Sequence, residues 1–298
     1  SMKVAVIGAS GLVGSHLATA ARDRGWETLA TYHQFPQPQQ LPLDIRDEEK
    51  ARSLLTDFQP QVIFLPAFRS HVDYCEQHPE GTAQLNVDGC LNIARIARNL
   101  KAKLVFYSSD YVFDGTSGPY RERDSPNPIC VYGQQKLTVE QKIQNLLETA
   151  LILRITVVYG NESQGKNFVK RAIDTLTKGE TLRVPCDQIG SPTLVNDIAE
   201  ASCRLVEANA EGIFHVVGTD VMSRYDFALE VARIFELPTD NILPVTTPEL
   251  KQAASRPLLA GMVSDRLVPT LNWNLRGVKV GLEYLKQNPL KALSPINR

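Results

Sequence analysis

Cysteine is scarce in this chain: five in 298 residues, an odd number, with no C-x-x-C pair. Neither a disulfide framework nor a cysteine metal site is expected, and a reducing cytoplasm fits. Cys75, Cys90, Cys130, Cys186 and Cys203 are expected to behave as small buried hydrophobes. An excess of charge of either sign is also missing. Lys plus Arg number 32 and Asp plus Glu 33, for a net charge of −1. That removes the electrostatic footprint that nucleic acid or an anionic membrane would require. Long apolar runs are absent too. VAVIGASGLVG (4–14) is broken by glycine, falls far short of a bilayer span and lacks a signal-peptide cleavage pattern. With 43% hydrophobic and 22% charged residues, the chain has the material for one large domain or two coupled ones.

What the sequence does have is alternation. KVAVIG (3–8), ETLATY (27–32), QVIFLPA (61–67), KLVFYSS (103–109) and ALILRITVVYG (150–160) read as strands; 12–25, 46–58, 81–100 and about 131–148 read as the helices between them. This rhythm predicts βαβ units with right-handed crossovers, hence an α/β doubly wound parallel sheet of the Rossmann type. Beyond Gly160 proline becomes frequent, and only a helix at 196–208, a strand at 212–218 and a helix at 223–236 are legible. The expected division is a nucleotide-binding body over 1–158 plus roughly 194–217, and a smaller substrate lobe over 159–193 and 218–298.

Between the first strand and first helix stand Gly8, Gly11 and Gly14, in a G-x-x-G-x-x-G spacing. Glycines there let main-chain N–H groups approach a pyrophosphate at the positive end of a helix. A nicotinamide dinucleotide is therefore expected against Gly8, Ser10, Gly11, Leu12, Val13 and Gly14. Asp44 and Ile45 are placed to accept from an adenine amino group and to cover its ring, with helix capping the competing role for Asp44. A carboxylate at the end of the second strand would hold a ribose 2′-hydroxyl. Tyr32 and His33 stand there instead, with no Arg or Lys after them. The choice leans to NADP, with NAD open.

Tyr132 and Lys136 are four apart at the start of a helix and so share a face. Ser109 ends the fourth strand, at the carboxyl edge where such sheets bind ligands. A ketone that accepts a hydride needs a proton on its developing alkoxide. Tyr132 is the expected donor, Lys136 the charge that would lower its pKa, and Ser109 the hydroxyl that polarises the carbonyl. Leu65, Pro66, Ala67, Asn86, Ser108 and Ile155 complete the expected cofactor wall. No metal site is expected.

SSDYVFDGTSGPYRERDSPNPICVYGQQKL (108–137) resembles the dTDP-4-dehydrorhamnose reductases of the extended short-chain dehydrogenase/reductase superfamily, as do QLNVDG (84–89), LRITVVYG (153–160), GKNFVKRAI (165–173), DQIGSPT (187–193) and ASRP (254–257). The resemblance implies a cytoplasmic oxidoreductase of dTDP-rhamnose biosynthesis that reduces a nucleotide-linked 4-keto-6-deoxysugar with NAD(P)H; a homodimer is one candidate assembly, and the sequence leaves the oligomeric state open. It also implies substrate contacts from Arg69, Ser109, Asp110, Val157, Lys166, Asn167, Phe168 and Arg256, with Arg256 on the diphosphate. Two places depart from the reductase pattern: PAFRSHVD (66–73) replaces Ala-Ala-Tyr-Thr-Ala-Val-Asp, and Val157 replaces a tryptophan. SRYDFALEVARIFELPTDNILPVT (223–246) is similar to the regulatory β subunits of methionine adenosyltransferase, which also lack that tryptophan. That similarity implies an alternative, a catalytically silent cofactor-binding subunit on a partner enzyme; a sugar-nucleotide epimerase or dehydratase is a third reading.

Overall fold

The computed structural model describes residues 1–289; residues 290–298, the end of the expected lobe, lie outside the described residues. Strands β1 (Lys3–Ile7), β2 (Glu27–Tyr32), β3 (Leu41–Pro42), β4 (Val62–Leu65), β5 (Lys103–Ser109) and β6 (Leu151–Ile155) form a parallel sheet in the order β3-β2-β1-β4-β5-β6, and Gly212–His215 adds a seventh strand beside β6. The winding reverses between β1 and β4, which opens a crevice at their carboxyl ends.

Helices α1 (Leu12–Asp23), α2 (Glu48–Phe58), α3 (Val72–Gln77), α4 (Pro79–Ala83), α5 (Cys90–Leu100) and α6 (Val131–Leu146) cover the sheet's faces or its carboxyl edge. Because both faces are covered, the central strands are apolar throughout rather than alternating. All four residues of β4, VIFL, are buried. Successive residues serve opposite faces. Val4, Val6, Phe64 and Val105 pack towards α1 and a later helix at 195–207, whereas Ala5, Ile7, Ile63 and Phe106 pack towards α2, α5 and α6. Helices α7 (Phe168–Thr177), α8 (Val195–Glu207) and α9 (Arg224–Ile234) follow, and a separate apolar cluster around Val169, Phe227, Val231 and Leu282 holds α7 and α9 together.

Three boundaries differ from the sequence reading. Helix α2 starts at Glu48, not at 46, because the Asp47 side chain caps it by accepting from the Lys50 N–H at 3.1 Å; Asp44 is not the cap. The expected helix at 81–100 is interrupted by a π-helical turn, Gln84–Gly89. The expected strand at 150–160 leaves the sheet after Ile155, since Val157 has φ 43°. That is a strained, left-handed conformation for a β-branched residue. Val158–Tyr159 then pairs with Thr193–Leu194 instead. Of the cysteines, Cys186 is exposed and the other four are buried. Among the described residues no helix is long and apolar enough to cross a membrane.

Candidate active site

The phosphate loop is shaped by what it has no room for. Gly8 has φ 95°, and a Cβ on it would lie 2.8 Å from the Ala67 N and Cα atoms. A Cβ on Gly14 would lie 2.0 Å from the Gly8 carbonyl oxygen. These two glycines bring β1, the loop after β4 and α1 together. Gly11 differs: a Cβ there would meet nothing within 4 Å, and it precedes α1 without any side-chain cap. The first-turn N–H groups of α1 are thus left to a ligand.

Two cavities meet at this loop and share Gly8, Gly11, Pro66 and Phe68. The smaller, ≈ 200 Å³, is lined by Ser10, His33, Phe35, Leu43, Ile45, Ala67, Arg69 and Gln164, among others. The larger, ≈ 390 Å³, takes in Leu12, Val13, Gly14, Ser108, Ser109, Asp110, Tyr132, Lys136, Ile155 and Val157. A dinucleotide suits this arrangement, with its pyrophosphate at Gly11 and one nucleoside in each direction.

Four expected cofactor residues do not line either cavity. Tyr32 pairs with Pro42 in the sheet, and Leu65 is wholly buried beneath the wall. Asp44 is bound by Arg46 at 2.7 Å and lies 3.4 Å from His33; the Arg46 guanidinium lowers its carboxyl to about 2. Asn86 acts from behind. Its amide donates to Gln135 Oε1 at 2.9 Å and to the Arg69 carbonyl at 3.2 Å, while its Oδ1 accepts from the Arg69 N–H at 2.6 Å. It ties the loop after β4 to α6.

Ser109, Tyr132 and Lys136 are brought to one wall of the larger cavity. Gly133 makes this possible: a Cβ there would lie 2.1 Å from the Tyr111 carbonyl oxygen, so α6 can press its first turn against residues 110–112. The Tyr132 ring is held edge-on between Phe68 and Tyr111, both at 5.7 Å between centroids. Lys136 is buried, donates to the Tyr107 carbonyl at 2.6 Å and rests 3.6 Å from the Phe68 ring centroid. Ser109 donates to Asp110 Oδ1 at 3.0 Å.

Burial dominates the electrostatics here. It lowers the Lys136 ammonium to about 7, against the pull of Cys90 and Glu140. It also raises the Tyr132 phenol, with the Asp110 charge adding and the Ser109 hydroxyl opposing. Asp110 itself is pushed up to about 6 by burial, opposed by Thr156, Ser109 and Arg224. Behind the wall Glu140, one turn beyond Lys136, accepts from Arg154 at 2.8 and 3.0 Å and from the Ser108 hydroxyl.

The residues expected to meet the substrate disperse. Val157, Asp110 and Ser109 line the larger cavity and Arg69 the smaller. Lys166 reaches instead over the Phe35 ring, 4.3 Å from its centroid, where neighbouring Gln164 donates to the Ser10 carbonyl at 3.1 Å. Asn167 is buried, donating to the Gly160 carbonyl at 2.9 Å. Phe168 packs on Phe227. Arg256 is engaged by Asp73 at 2.5 Å. Sequence reasoning missed Phe68, Tyr111, Gln164, Glu140 and Arg224. Only Glu140 carried a signal, as the third member of the four-residue series begun by Tyr132 and Lys136.

The profile of the family described as the RmlD substrate binding domain matches residues 2–288. The methionine adenosyltransferase 2 subunit beta of Bos taurus is 33% identical over 272 residues, 89% of this chain and 81% of that protein. A probable low-salt glycan biosynthesis reductase of Haloferax volcanii is 31% identical over 259 residues, 85% of this chain and 86% of that protein. Among solved structures, a dTDP-4-dehydrorhamnose reductase of Bacillus anthracis in complex with NADP superposes with a TM-score of 0.89 at 29% identity, covering 96% of this chain and 99% of that one.

Proposed function

The chain belongs to the RmlD substrate binding domain family, and from that premise we propose that it is an NAD(P)H-dependent reductase of a nucleotide-linked 4-keto-6-deoxysugar. The observation that carries this reading is the placement of Ser109, Tyr132 and Lys136 on one cavity wall that also includes Gly11 at the uncapped start of α1. A bound nicotinamide cofactor would supply the hydride to the carbonyl carbon. The first turn of α1 would hold its pyrophosphate, with Ile45, Leu43 and Phe35 against its adenosine. Tyr132 gives its phenolic proton to the carbonyl oxygen and later regains one from solvent. Burial and Asp110 both favour the protonated phenol, which is the form a reduction must start from. Ser109 turns its hydroxyl from Asp110 to the substrate oxygen, and Lys136 sits one turn behind to steady the phenolate. NADP is the favoured cofactor. Lys166 reaches over Phe35 in the loop that follows β2, and a cation there suits an added 2′-phosphate.

The test is oxidation of NADPH and NADH in the presence of enzymatically generated dTDP-4-dehydrorhamnose, for the wild type and for Tyr132→Phe. Consumption that is lost in the variant supports the reading; full turnover by Tyr132→Phe would refute the proton-donor role. The likeness to the Bos taurus subunit favours a second reading, a cofactor-binding subunit that docks on a methionine adenosyltransferase. Absence of ketone reduction combined with co-elution with such an enzyme would select it.

A further inference from the structure

Two arginines face the substrate side of the molecule, and they are in opposite states. Arg256 is engaged: it pairs with Asp73 at 2.5 Å and donates to the Ala254 carbonyl at 3.0 Å. Arg224, the first residue of α9, spends only its main-chain N–H, on the Gln188 carbonyl at 2.9 Å. Among the described residues its guanidinium has neither a hydrogen-bond acceptor nor an ion-pair partner. Its Cζ lies 5.4 Å from the Phe168 ring centroid. It lines the ≈ 390 Å³ cavity that holds Ser109 and Tyr132, and also a ≈ 20 Å³ extension beyond it, between Gln188, Ile189 and Pro257.

A guanidinium stays charged even in so confined a place, so it must be either solvated or paired. A ligand that displaces the water must itself bring the anion, because an unpaired buried charge is costly. Asp110 is near enough to be felt by Arg224 but forms no ion pair with it, and Arg171 and Arg256 add positive charge nearby. The phosphate loop, which suits the cofactor's anions, belongs to the sheet; Arg224 comes from the opposite side, where α7 and α9 pack. A hexopyranose carries its C4 oxygen and its anomeric oxygen at opposite ends of the ring. A sugar whose keto oxygen meets Tyr132 therefore directs its phosphates across the cavity.

We propose that Arg224, and not Arg256, grips the diphosphate of the substrate nucleotide-sugar, pairing with it through two parallel N–H donors. This rests on the reductase reading above and adds the residue that selects a nucleoside-diphosphate sugar over a free or singly phosphorylated one. Arg256, already neutralised by Asp73, holds residues 254–257 against α3 instead.

The test is calorimetric binding of dTDP and of UDP to the NADPH-loaded protein, comparing wild type, Arg224→Gln, Arg224→Lys and Arg256→Gln. NADPH affinity and thermal melting serve as controls for folding. Arg224→Gln is expected to weaken nucleoside-diphosphate binding by about tenfold or more, with NADPH affinity unchanged. Arg224→Lys should fall between wild type and Arg224→Gln, and Arg256→Gln should cost less than Arg224→Gln. Wild-type affinity in Arg224→Gln, or a larger loss in Arg256→Gln, overturns the assignment while leaving the reductase reading in place. A wild-type protein that binds neither nucleotide overturns both.

Discussion

Between Gly8 and Gly14 the cavity wall is main chain, and its shape is set by contacts that forbid a side chain: the Gly14 position lies against the Gly8 carbonyl and the Gly8 position against Ala67. Between Asp110 and Arg224 the wall is made of ionisable side chains brought together from elements far apart in sequence. The first wall is fixed by geometry and tolerates little substitution at Gly8 and Gly14. The second is fixed by charge, so on the proposed reading its selectivity can be changed without rebuilding the fold. The proposed proton donor, Tyr132, sits between them at the start of α6.

The largest effect is expected where the walls meet. Tyr132→Phe should lower turnover by about 10²- to 10⁴-fold, the usual worth of a positioned proton donor, while cofactor affinity measured by fluorescence titration stays the same. Equal losses in both would mean that Tyr132 serves packing between Phe68 and Tyr111 rather than proton transfer. The glycines come next. Gly14→Ala must push α1 away from the Gly8 carbonyl, at 2.0 Å from the new Cβ, and should cost about 1–3 kcal/mol in thermal or denaturant unfolding. Gly11→Ala meets open space and should leave stability intact but weaken the dinucleotide. If the two variants behave alike, the distinction between closeness and ligand access fails. A smaller change is expected for Lys166→Ala: about a tenfold loss of NADPH affinity with NADH affinity unchanged, read by direct titration. An equal loss for both cofactors would show that Lys166 acts only through Phe35.

The first wall was legible because its information is local. A strand, three glycines and a helix follow one another within twelve residues (3–14), and Tyr132 and Lys136 are one helical turn apart. The parallel sheet covered by helices follows from the same alternation. The second wall was not legible because its information is distant. Nothing near Arg256 in sequence announces that Asp73 will neutralise it, and nothing near Lys166 places it above Phe35, more than a hundred residues earlier. Val157 illustrates a different failure. Its neighbours form an unbroken β-branched and apolar run, so local propensity says strand, yet tertiary pairing with Thr193–Leu194 turns the backbone out of the sheet. Asn86 read as a site residue because it matches a position where the resembled family holds its active-site backbone or a water; here the π turn buries it and spends its amide on Arg69 and Gln135.

The least effect is expected behind the catalytic wall, where charge is buried away from either ligand. His215 is fully buried; its Nδ1 lies 3.0 Å from the Val263 carbonyl and its Nε2 3.3 Å from Arg154. Burial first, and the Arg154 charge second, lower its pKa from 6.5 to about 4. Between those values the unfolded chain binds a proton that the native state refuses, so stability must fall as pH drops from about 6.5 to about 4. Glu122, held below its ordinary value and hydrogen-bonded to the His215 N–H, Ser264 and Asp265, adds to the loss at the acid end. Asp110, raised to about 6, opposes it, because its carboxyl takes up a proton more readily in the native state. These contributions partly cancel in the wild type. Replacing His215 by Asn removes the destabilising contribution and leaves that of Asp110, so the melting temperature of His215→Asn should fall less between about pH 6.5 and pH 5 than that of the wild type. Parallel melting curves for the two proteins across that range would mean that His215 is already protonated in the native state, with Glu122 as its counter-charge.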